Sequence, residues 1–427
     1  MVGRFLTMVV ALATLTALML TSCSVGQVEY FAEDAPASER AGLTGLFGNR
    51  SDEEASDLPE EDLPSEHEDV SEYSEYENEN DYDSEYEYEY EYEYEYEYEY
   101  AGYLFTLLTS EEQQERLGVV DATVLYNSAR LMEDAQRLAE LYPYVLSLSS
   151  IGQSVLGNEI PLLRLGRGER AVLWVGSVHS REVVTSAYLM LIAETYANLY
   201  YGEMDFGDFT AADVRRLLNE FTIYILPMAN PDGVDISTIN GHANVTVDNR
   251  ATWRNNANGV DLNRNFPFDW EENSASRTAG NHLFFRGDGP GSEPETMAIM
   301  ALTESVEFEH MVSIHVAGQI VAWRDNKNWP IPGDEELART ISQALGFYMR
   351  GSTTVARNGW AGGLENWFRY QHQRPGIYIA MARSGLYHAT EANASRFFSS
   401  DIANWQRSRY LLLVVLDSLS AETELSV

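Results

Sequence analysis

His179 and Glu182 stand three residues apart, directly after an apolar stretch of the chain. The stretch, from Ala171 to Val175, is typical of a buried strand. An imidazole and a carboxylate held this close at a strand end can share one metal ion. Zinc takes such nitrogen and oxygen ligands, and three protein ligands leave a fourth position open for water. Alone the pair is a weak signal, because most such pairs are surface or hydrogen-bonded residues.

The elements that must position this pair alternate between strands and helices along most of the chain. This alternation predicts an α/β fold, a single layered domain with a mixed, mostly parallel central sheet flanked by helices. In such sheets ligands bind beyond the carboxyl ends of the strands. His179, Asn230 and His315 each lie at the end of a predicted strand, so we expect them at one edge of the sheet. Apolar periodicity also predicts helices over residues 335–349 and 405–416.

The formal net charge of -39 is unevenly distributed over the 427 residues. Residues 24–100 hold 28 of the 67 acidic residues, and within them Glu-Tyr repeats eight times from Glu85 to Tyr100. Carboxylates at alternate positions repel one another, so we expect a solvated, disordered acidic tether. A tyrosine ladder that binds the cell wall or a partner is the alternative. The sequence has no basic patch for phosphates, which argues against nucleic-acid binding.

The first 22 residues read as an export signal, with Arg4 as the positive end and a mostly apolar run up to Leu20. Leu20-Thr-Ser-Cys23 follows, and it resembles the bacterial lipobox, in which the cysteine is lipidated. Cys23 is the only cysteine, which excludes a disulfide framework. We therefore predict a lipid anchor at Cys23 in a bacterial cell envelope. An ordinary secretory signal with an incidental cysteine is the alternative. The apolar run is short for a transmembrane helix.

Short motifs follow one another in order through the rest of the chain. They are His179-Ser-Arg-Glu182, Asn230-Pro-Asp-Gly233, Trp253-Arg254, Gly259-Val-Asp-Leu-Asn-Arg-Asn-Phe266, Ser292-Glu-Pro-Glu-Thr296, Ser313-Ile-His315 and Ala361-Gly-Gly-Leu-Glu-Asn-Trp367. Together they resemble the zinc metallocarboxypeptidases of the pancreatic carboxypeptidase A/B type, including their bacterial cell-wall relatives. The resemblance covers about residues 105–420 and implies a carboxypeptidase-like fold.

The resemblance implies one zinc ion per chain, with His179, Glu182 and His315 as its ligands. Arg254 matches the arginine that stabilises the developing oxyanion, where a fixed guanidinium can direct its donors at one oxygen.

The resemblance also implies a subsite for the end of a peptide. Asn263 and Arg264 match the pair that holds the terminal carboxylate of the substrate, for which arginine offers a two-pronged donor. Glu365 matches the residue at the floor of the side-chain pocket, and an acidic floor favours a terminal Lys, Arg or diaminopimelate. A solvent-facing helix residue is the alternative for Glu365.

One position departs from the family pattern. The family's general base is a glutamate on a buried strand, and an ungapped match places Ala380 at its position. The substrate-capping tyrosine falls near Asn358 or Trp360, neither of which is a tyrosine. Loss of a general base costs about 10²–10⁴ in rate. Candidates that could replace it lie just downstream, at Arg383, Tyr387 and His388.

The predicted organisation is a signal peptide (1–22), Cys23 with the tether (23–102), the carboxypeptidase-like domain (103–420) and a tail (421–427). We expect a cell-surface zinc carboxypeptidase that acts on peptides or peptidoglycan stem peptides. The alternative is a pseudopeptidase that binds zinc and carboxylate-terminated peptides without efficient hydrolysis. A tethered structural protein that kept only the fold is a weaker alternative. Nothing in the sequence assigns an oligomeric state.

Overall fold

The structure is a computed structural model that describes residues 118–240, 250–272, 284–323, 330–351, 361–382, 388–399 and 402–426. The described residues all belong to one compact unit. The predicted signal peptide, Cys23 and the acidic tether lie outside the described residues.

Eight strands form one sheet in the order β1-β2-β4-β3-β5-β8-β6-β7. The strands are β1 (Leu146–Gln153), β2 (Glu159–Gly166), β3 (Arg170–Val175), β4 (Phe221–Leu226), β5 (Phe308–Val316), β6 (Ile320–Ala322), β7 (Tyr348–Arg350) and β8 (Gly376–Met381). The four central strands β4, β3, β5 and β8 run parallel, and β6 pairs with β7 in parallel as well. Strands β1 and β2 and the β6–β8 pair are antiparallel. The predicted mixed, mostly parallel sheet is therefore confirmed.

Helices cover both faces of this sheet. They are α1 (Ser128–Leu141), α2 (Val184–Tyr201), α3 (Ala211–Glu220), α4 (Pro231–Asp235), α5 (Pro294–Ser305), α6 (Asp334–Leu345), α7 (Leu364–His372), α8 (Glu391–Ser399), α9 (Ile402–Ser408) and α10 (Leu411–Ser426). No helix among the described residues is long and apolar enough to span a membrane.

Alternation along the central strands divides the core into two layers. On β3, Val172 and Trp174 pack into the larger cluster with α1, α2, α6 and α10, whereas Leu173 and Val175 pack into a smaller cluster with α5 and α7. Successive side chains of a strand point to opposite faces, so each strand contributes to both clusters. On β5 and β8 the same alternation puts Ser313, His315, Tyr378 and Ala380 on the face that α7 covers.

Two predicted helices end differently from expectation. The helix predicted over 335–349 stops at Leu345, because Gly346 adopts φ 65° and caps it, and residues 348–350 form β7 instead. The helix predicted over 405–416 is two helices, α9 and α10, separated at Arg409 and Tyr410. The residues predicted as a tail continue α10 to Ser426.

One arginine fastens the amino end of the central strands. Arg170, the first residue of β3, pairs with Glu220 at the end of α3 and donates from Nε and Nη2 to the two carboxylate oxygens of Glu309 on β5, at 2.6 and 2.8 Å. Its Nη2 also donates to the carbonyl of Leu419 on α10. This edge is the opposite one from that expected to hold the functional residues.

Candidate metal centre and peptide cleft

The loop between β3 and α2 brings His179 and Glu182 together. It leaves the strand through Ser177, whose φ is 45° and whose amide donates to the Thr185 hydroxyl at 2.8 Å. The amide of Glu182 donates to the carbonyl of His179 and closes a tight turn just before α2 begins. The turn aims both side chains at one point, where Nδ1 of His179 lies 2.8 Å from Oε1 of Glu182.

His315 reaches the same point from the end of β5, the next strand to β3 in the sheet. Its Nδ1 lies 3.0 Å from Nδ1 of His179 and 2.9 Å from Oε2 of Glu182. The three side chains are 2% exposed or less. Two strand ends therefore deliver two imidazoles and one carboxylate to a single buried position, although 133 residues separate Glu182 from His315.

The charges of Glu182, His179 and His315 shift one another's pKa values. Burial raises the pKa of Glu182, but the two imidazoles outweigh it and hold the pKa well below its ordinary value. Burial lowers the pKa of His315, yet Glu182 and Glu365 outweigh it and raise it to about 9. For His179, burial and then the nearby Arg254 lower the pKa. The group therefore holds an ionised carboxylate that favours positive charge beside it.

Arg254 lies next to the group and is itself held by an aspartate. Its Nε donates to Oδ2 of Asp261 at 2.9 Å, and its Nη1 lies 3.9 Å from Oε1 of Glu182. Ser180, on the His179 loop, donates to the backbone carbonyls of Trp253 and Arg254. The Arg254 segment and the His179 loop are thus locked to each other, and the guanidinium is fixed before any ligand binds.

Each histidine has an oxygen acceptor on the side away from the shared position. Nε2 of His179 lies 3.4 Å from Oδ1 of Asp261, close but not aligned as a hydrogen bond. Nε2 of His315 lies 2.7 Å from the Ser313 hydroxyl and 3.3 Å from Oε1 of Glu365. Glu365, which resemblance to the family places at a pocket floor, is buried in the first turn of α7 against the back of His315, so it is not the solvent-facing helix residue of the alternative.

Asn263 and Arg264 lie on a short 3-10 helix that packs against the start of α7. The side-chain carbonyl of Asn263 accepts the amide of Leu364 at 2.8 Å, which leaves its Nδ2 as the atom able to donate to a ligand. Arg264 is half-buried, and its guanidinium lies 6.0 Å from the ring of Phe284, whereas that of Arg254 lies 5.6 Å from it. Two arginines therefore converge around one partly exposed aromatic ring.

Ala380 stands directly beside His315. The two residues are partners in the parallel pairing of β5 and β8, and Ala380 is buried. Two residues earlier on the same face, the Tyr378 ring stacks on the His315 imidazole with centroids 4.3 Å apart. The position that resemblance assigns to a general base thus lies next to the metal-ligand candidate and carries a methyl group.

Other candidates are placed only in part. Cys23, Asn358, Trp360, Arg383 and Tyr387 lie outside the described residues. His388 is half-buried, and burial, followed by the charge of Arg181, lowers its pKa. Asn230 caps α4 by accepting the amide of Gly233 and donates to the carbonyl of Val178, so it braces the His179 loop.

Asp261, Ser313 and Tyr378 contact the central group, yet sequence reasoning gave them no role. A feature of the sequence could have identified each of them. Asp261 lies inside the Gly259–Phe266 motif, and Ser313 and Tyr378 lie two residues before His315 and Ala380, which puts each pair on one face of a strand.

The three side chains fit a zinc ion by the nature and spacing of their atoms. One donor atom from each of His179, Glu182 and His315 lies within 4.8 Å of the others, and two nitrogens and an oxygen form a set that zinc accepts. Two imidazole nitrogens facing each other at 3.0 Å need a shared proton or a cation between them. The hydrogen-bond acceptors behind His315 are also typical of metal-bound histidine.

Comparison with known proteins agrees with this geometry. The chain is 28% identical over 269 residues to gamma-D-glutamyl-L-diamino acid endopeptidase 1 of Lysinibacillus sphaericus, a match that covers 60% of this chain and 65% of that protein. The chain therefore spans just under two thirds of the length of that relative.

Solved structures share the fold. Thrombin-activatable fibrinolysis inhibitor matches with a TM-score of 0.58 and 19% identity over 71% of this chain and 77% of that one. Carboxypeptidase A from Helicoverpa armigera matches with a TM-score of 0.54 and 19% identity over 75% and 81%. The sequence model of the family described as zinc carboxypeptidase, peptidase M14, matches residues 131–393. This match covers well over half of the chain, which therefore belongs to the zinc carboxypeptidase family.

Proposed function

We propose that the protein is a zinc-dependent metallocarboxypeptidase-type protein that acts on the C-terminal residue of peptides or peptidoglycan stem peptides. The observation that carries the proposal is the buried meeting of His179, Glu182 and His315 beside the fixed guanidinium of Arg254. The name of the Lysinibacillus relative, an endopeptidase for gamma-D-glutamyl-L-diamino acid bonds, supports a peptidoglycan-derived substrate.

Each residue has a defined part in this proposal. Zinc, held by His179, Glu182 and His315, supplies polarisation of a carbonyl and acidification of water. Arg254 directs its donors at the oxygen on which negative charge develops, and its fixed position means that little reorganisation is needed. Arg264 and the Nδ2 amide of Asn263 hold the terminal carboxylate, so a peptide without a free C-terminus loses this anchor.

The test is zinc-dependent recognition of a free peptide terminus. The purified chain is loaded with zinc and mixed with peptides that end in Lys, Arg, Phe or diaminopimelate, and both binding and release of the terminal residue are measured. We expect recognition that disappears with a chelator and with His179→Ala. Equal behaviour of the wild-type chain and His179→Ala would contradict the proposal.

A second candidate function is binding without efficient hydrolysis, and Ala380 favours it. The methyl group sits beside His315 on the face that Tyr378 shares, at the position where the resemblance places a glutamate. None of the described residues provides another carboxylate here besides Glu182, Asp261 and Glu365, and all three are engaged with His179, His315 or Arg254. Proton transfer thus lacks its usual residue, while the groups proposed to hold the ligand are present.

Ala380→Glu separates the two candidates. If the native chain binds without cutting, the variant gains release of the terminal residue by about 10²–10⁴-fold, the usual contribution of a general base. Ala380→Gln, which has nearly the same size but cannot accept the proton, is the control and should stay slow. Fast hydrolysis by the native chain, with no gain in Ala380→Glu, would exclude the binding-only function.

We further propose that the protein works in a bacterial cell envelope, anchored by lipid at Cys23 or secreted. The export-like leader and the single, correctly placed cysteine support this location. Expression in a bacterium with radiolabelled fatty acid should label the wild-type chain and not Cys23→Ser. Unlabelled wild-type protein in the medium would favour secretion, and wild-type protein retained inside the cell would contradict both.

A further inference from the structure

A carboxylate lies behind each of the two histidines, but the two carboxylates are not alike. Behind His179, Asp261 is paired with Arg254, whose Nε donates to it at 2.9 Å, and it also accepts a hydrogen bond from the amide of Asn263. Behind His315, Glu365 points Oε1 at Nε2 from 3.3 Å, and its Oε2 is buried without a hydrogen-bond partner. Glu365 therefore has His315 as its main contact.

The fold builds this contact from two elements. His315 and Ser313 project from β5 toward the face covered by α7, and Glu365 occupies the first turn of that helix. Gly376 on β8 allows the close approach, because a Cβ there would lie 2.5 Å from the Glu365 carbonyl oxygen. Glu365 is thus held at the back of His315 and directed away from solvent, with 3% of its surface exposed.

The tautomer of His315 makes the contact directional. An imidazole that binds a cation through Nδ1 carries its proton on Nε2. That proton faces the Ser313 hydroxyl at 2.7 Å and Oε1 of Glu365 at 3.3 Å. The carboxylate charge of Glu365 therefore acts directly on the ring of His315.

An ionised carboxylate in this position is costly unless positive charge lies near. Burying a charge whose hydrogen bonds are incomplete costs several kcal/mol, which a partner must offset. A cation on Nδ1 makes the Nε2 proton a stronger donor, so the metal and Glu365 stabilise each other through one ring. Partners of this kind orient the ligand, raise its basicity and typically change metal affinity 10–100-fold.

From this geometry we propose that Glu365 is a positioning residue of the metal site, which tightens zinc binding by acting through His315. The inference rests on the proposed zinc site and adds to it a role for a residue otherwise expected to contact only a substrate side chain.

The test measures the zinc dissociation constant of the full chain by competition with a chromophoric chelator. Glu365→Gln keeps the volume and loses the charge, whereas Glu365→Asp keeps the charge and loses a methylene group. We expect zinc to bind about 10–100-fold more weakly to Glu365→Gln, with Glu365→Asp between it and the wild-type chain. Glu194→Gln, a buried carboxylate on α2 away from the site, is the matched control and should bind zinc as the wild-type chain does.

Other outcomes overturn the inference. If Glu365 only fills space, Glu365→Asp should bind zinc more weakly than Glu365→Gln does. If Glu365 acts only at the pocket floor, both variants should change the preferred terminal residue and keep the zinc affinity of the wild-type chain. A wild-type chain that does not bind zinc would overturn the proposed function as well, so the two failures are distinguishable.

Should both Glu365 variants fail to fold, the wild-type chain carries the test alone. Nuclear magnetic resonance of zinc-loaded protein with 15N-labelled histidine should show a downfield, exchange-protected proton on Nε2 of His315. A proton there that exchanges freely with water would overturn the inference.

Discussion

In the proposed function, single side chains determine whether the cleft can hold the end of a peptide. Arg254 is held by Asp261 through its Nε and lies beside Glu182, so its guanidinium has one fixed position. Arg264 makes one short hydrogen bond to the Asn263 carbonyl and is half-buried near Phe284, which leaves most of its donors for a ligand. At the scale of the residue, the two arginines therefore differ in how the protein holds them.

Arg264→Ala tests this difference. Loss of a charged hydrogen-bond donor should cost about 1.5–3 kcal/mol, or on the order of 10–100-fold in the affinity for a peptide with a free C-terminus. Calorimetric titration measures it, and a C-terminally amidated peptide is the control, since its affinity should be the same for both proteins. Arg137→Ala, an exposed arginine paired with Glu140, should change neither affinity. Equal losses for both peptides would mean that Arg264 does not read the carboxylate.

At the scale of the element, the contacts that hold α7 in place position several residues of the site. Gly362 precedes the helix with φ +76°, and a Cβ there would lie 2.1 Å from the carbonyl oxygen of Arg264. Its amide donates to Phe268 and its carbonyl accepts the amide of Phe266. Further along α7, buried Arg369 is paired with Asp334 on α6. The helix that carries Glu365 is therefore fixed at both of its ends.

Gly362→Ala should destabilise the fold by roughly 2–4 kcal/mol, because it combines a left-handed backbone with a backbone clash. Urea unfolding measures the loss. Gly259→Ala is a close control, since Gly259 has φ +77° and nothing within 4 Å of the added Cβ. It should lose only the backbone part, about 1–2 kcal/mol. The prediction fails if the two variants lose the same free energy of unfolding.

At the scale of the whole molecule, a buried carboxylate links the first described residues to the core. Glu194 on α2 accepts the amides of Gly118, Val119 and Val120. Burial outweighs these hydrogen bonds and raises the pKa of Glu194 to about 7. An acid whose folded pKa is raised stabilises the fold fully below its unfolded pKa, near 4.5, and this contribution is lost as the pH rises toward 7.

Glu194→Gln removes this dependence on pH. Between pH 4.5 and 7 the free energy of unfolding of the wild-type chain should fall relative to that of the variant, by on the order of 3 kcal/mol over the window. Above pH 7 the difference should stay constant. Urea unfolding of both proteins at several pH values measures it, and other titrating groups cancel in the comparison. Parallel curves would show that Glu194 ionises normally in the folded protein.

Some of this arrangement could be predicted from the sequence, for reasons that lie in the chain. Apolar runs before His179 and His315 predict the two strands that lead to these residues. The alternation of strands and helices predicts the layered sheet. The contact of Glu365 with His315 could not be predicted, because it depends on how closely α7 approaches β5. The end of α6 was missed since residues 348–350 continue an apolar periodicity that Gly346 interrupts.

Arg170 joins three elements at the rim of the sheet farthest from the cleft. Residues that stabilise the fold and residues of the candidate site thus lie at opposite edges of the sheet. In a library of random mutants, substitutions around Arg170 should lower the yield of folded protein. Substitutions around His179 should leave this yield unchanged and abolish peptide binding. Such a division lets substitutions in the cleft change what it recognises while the scaffold stays folded.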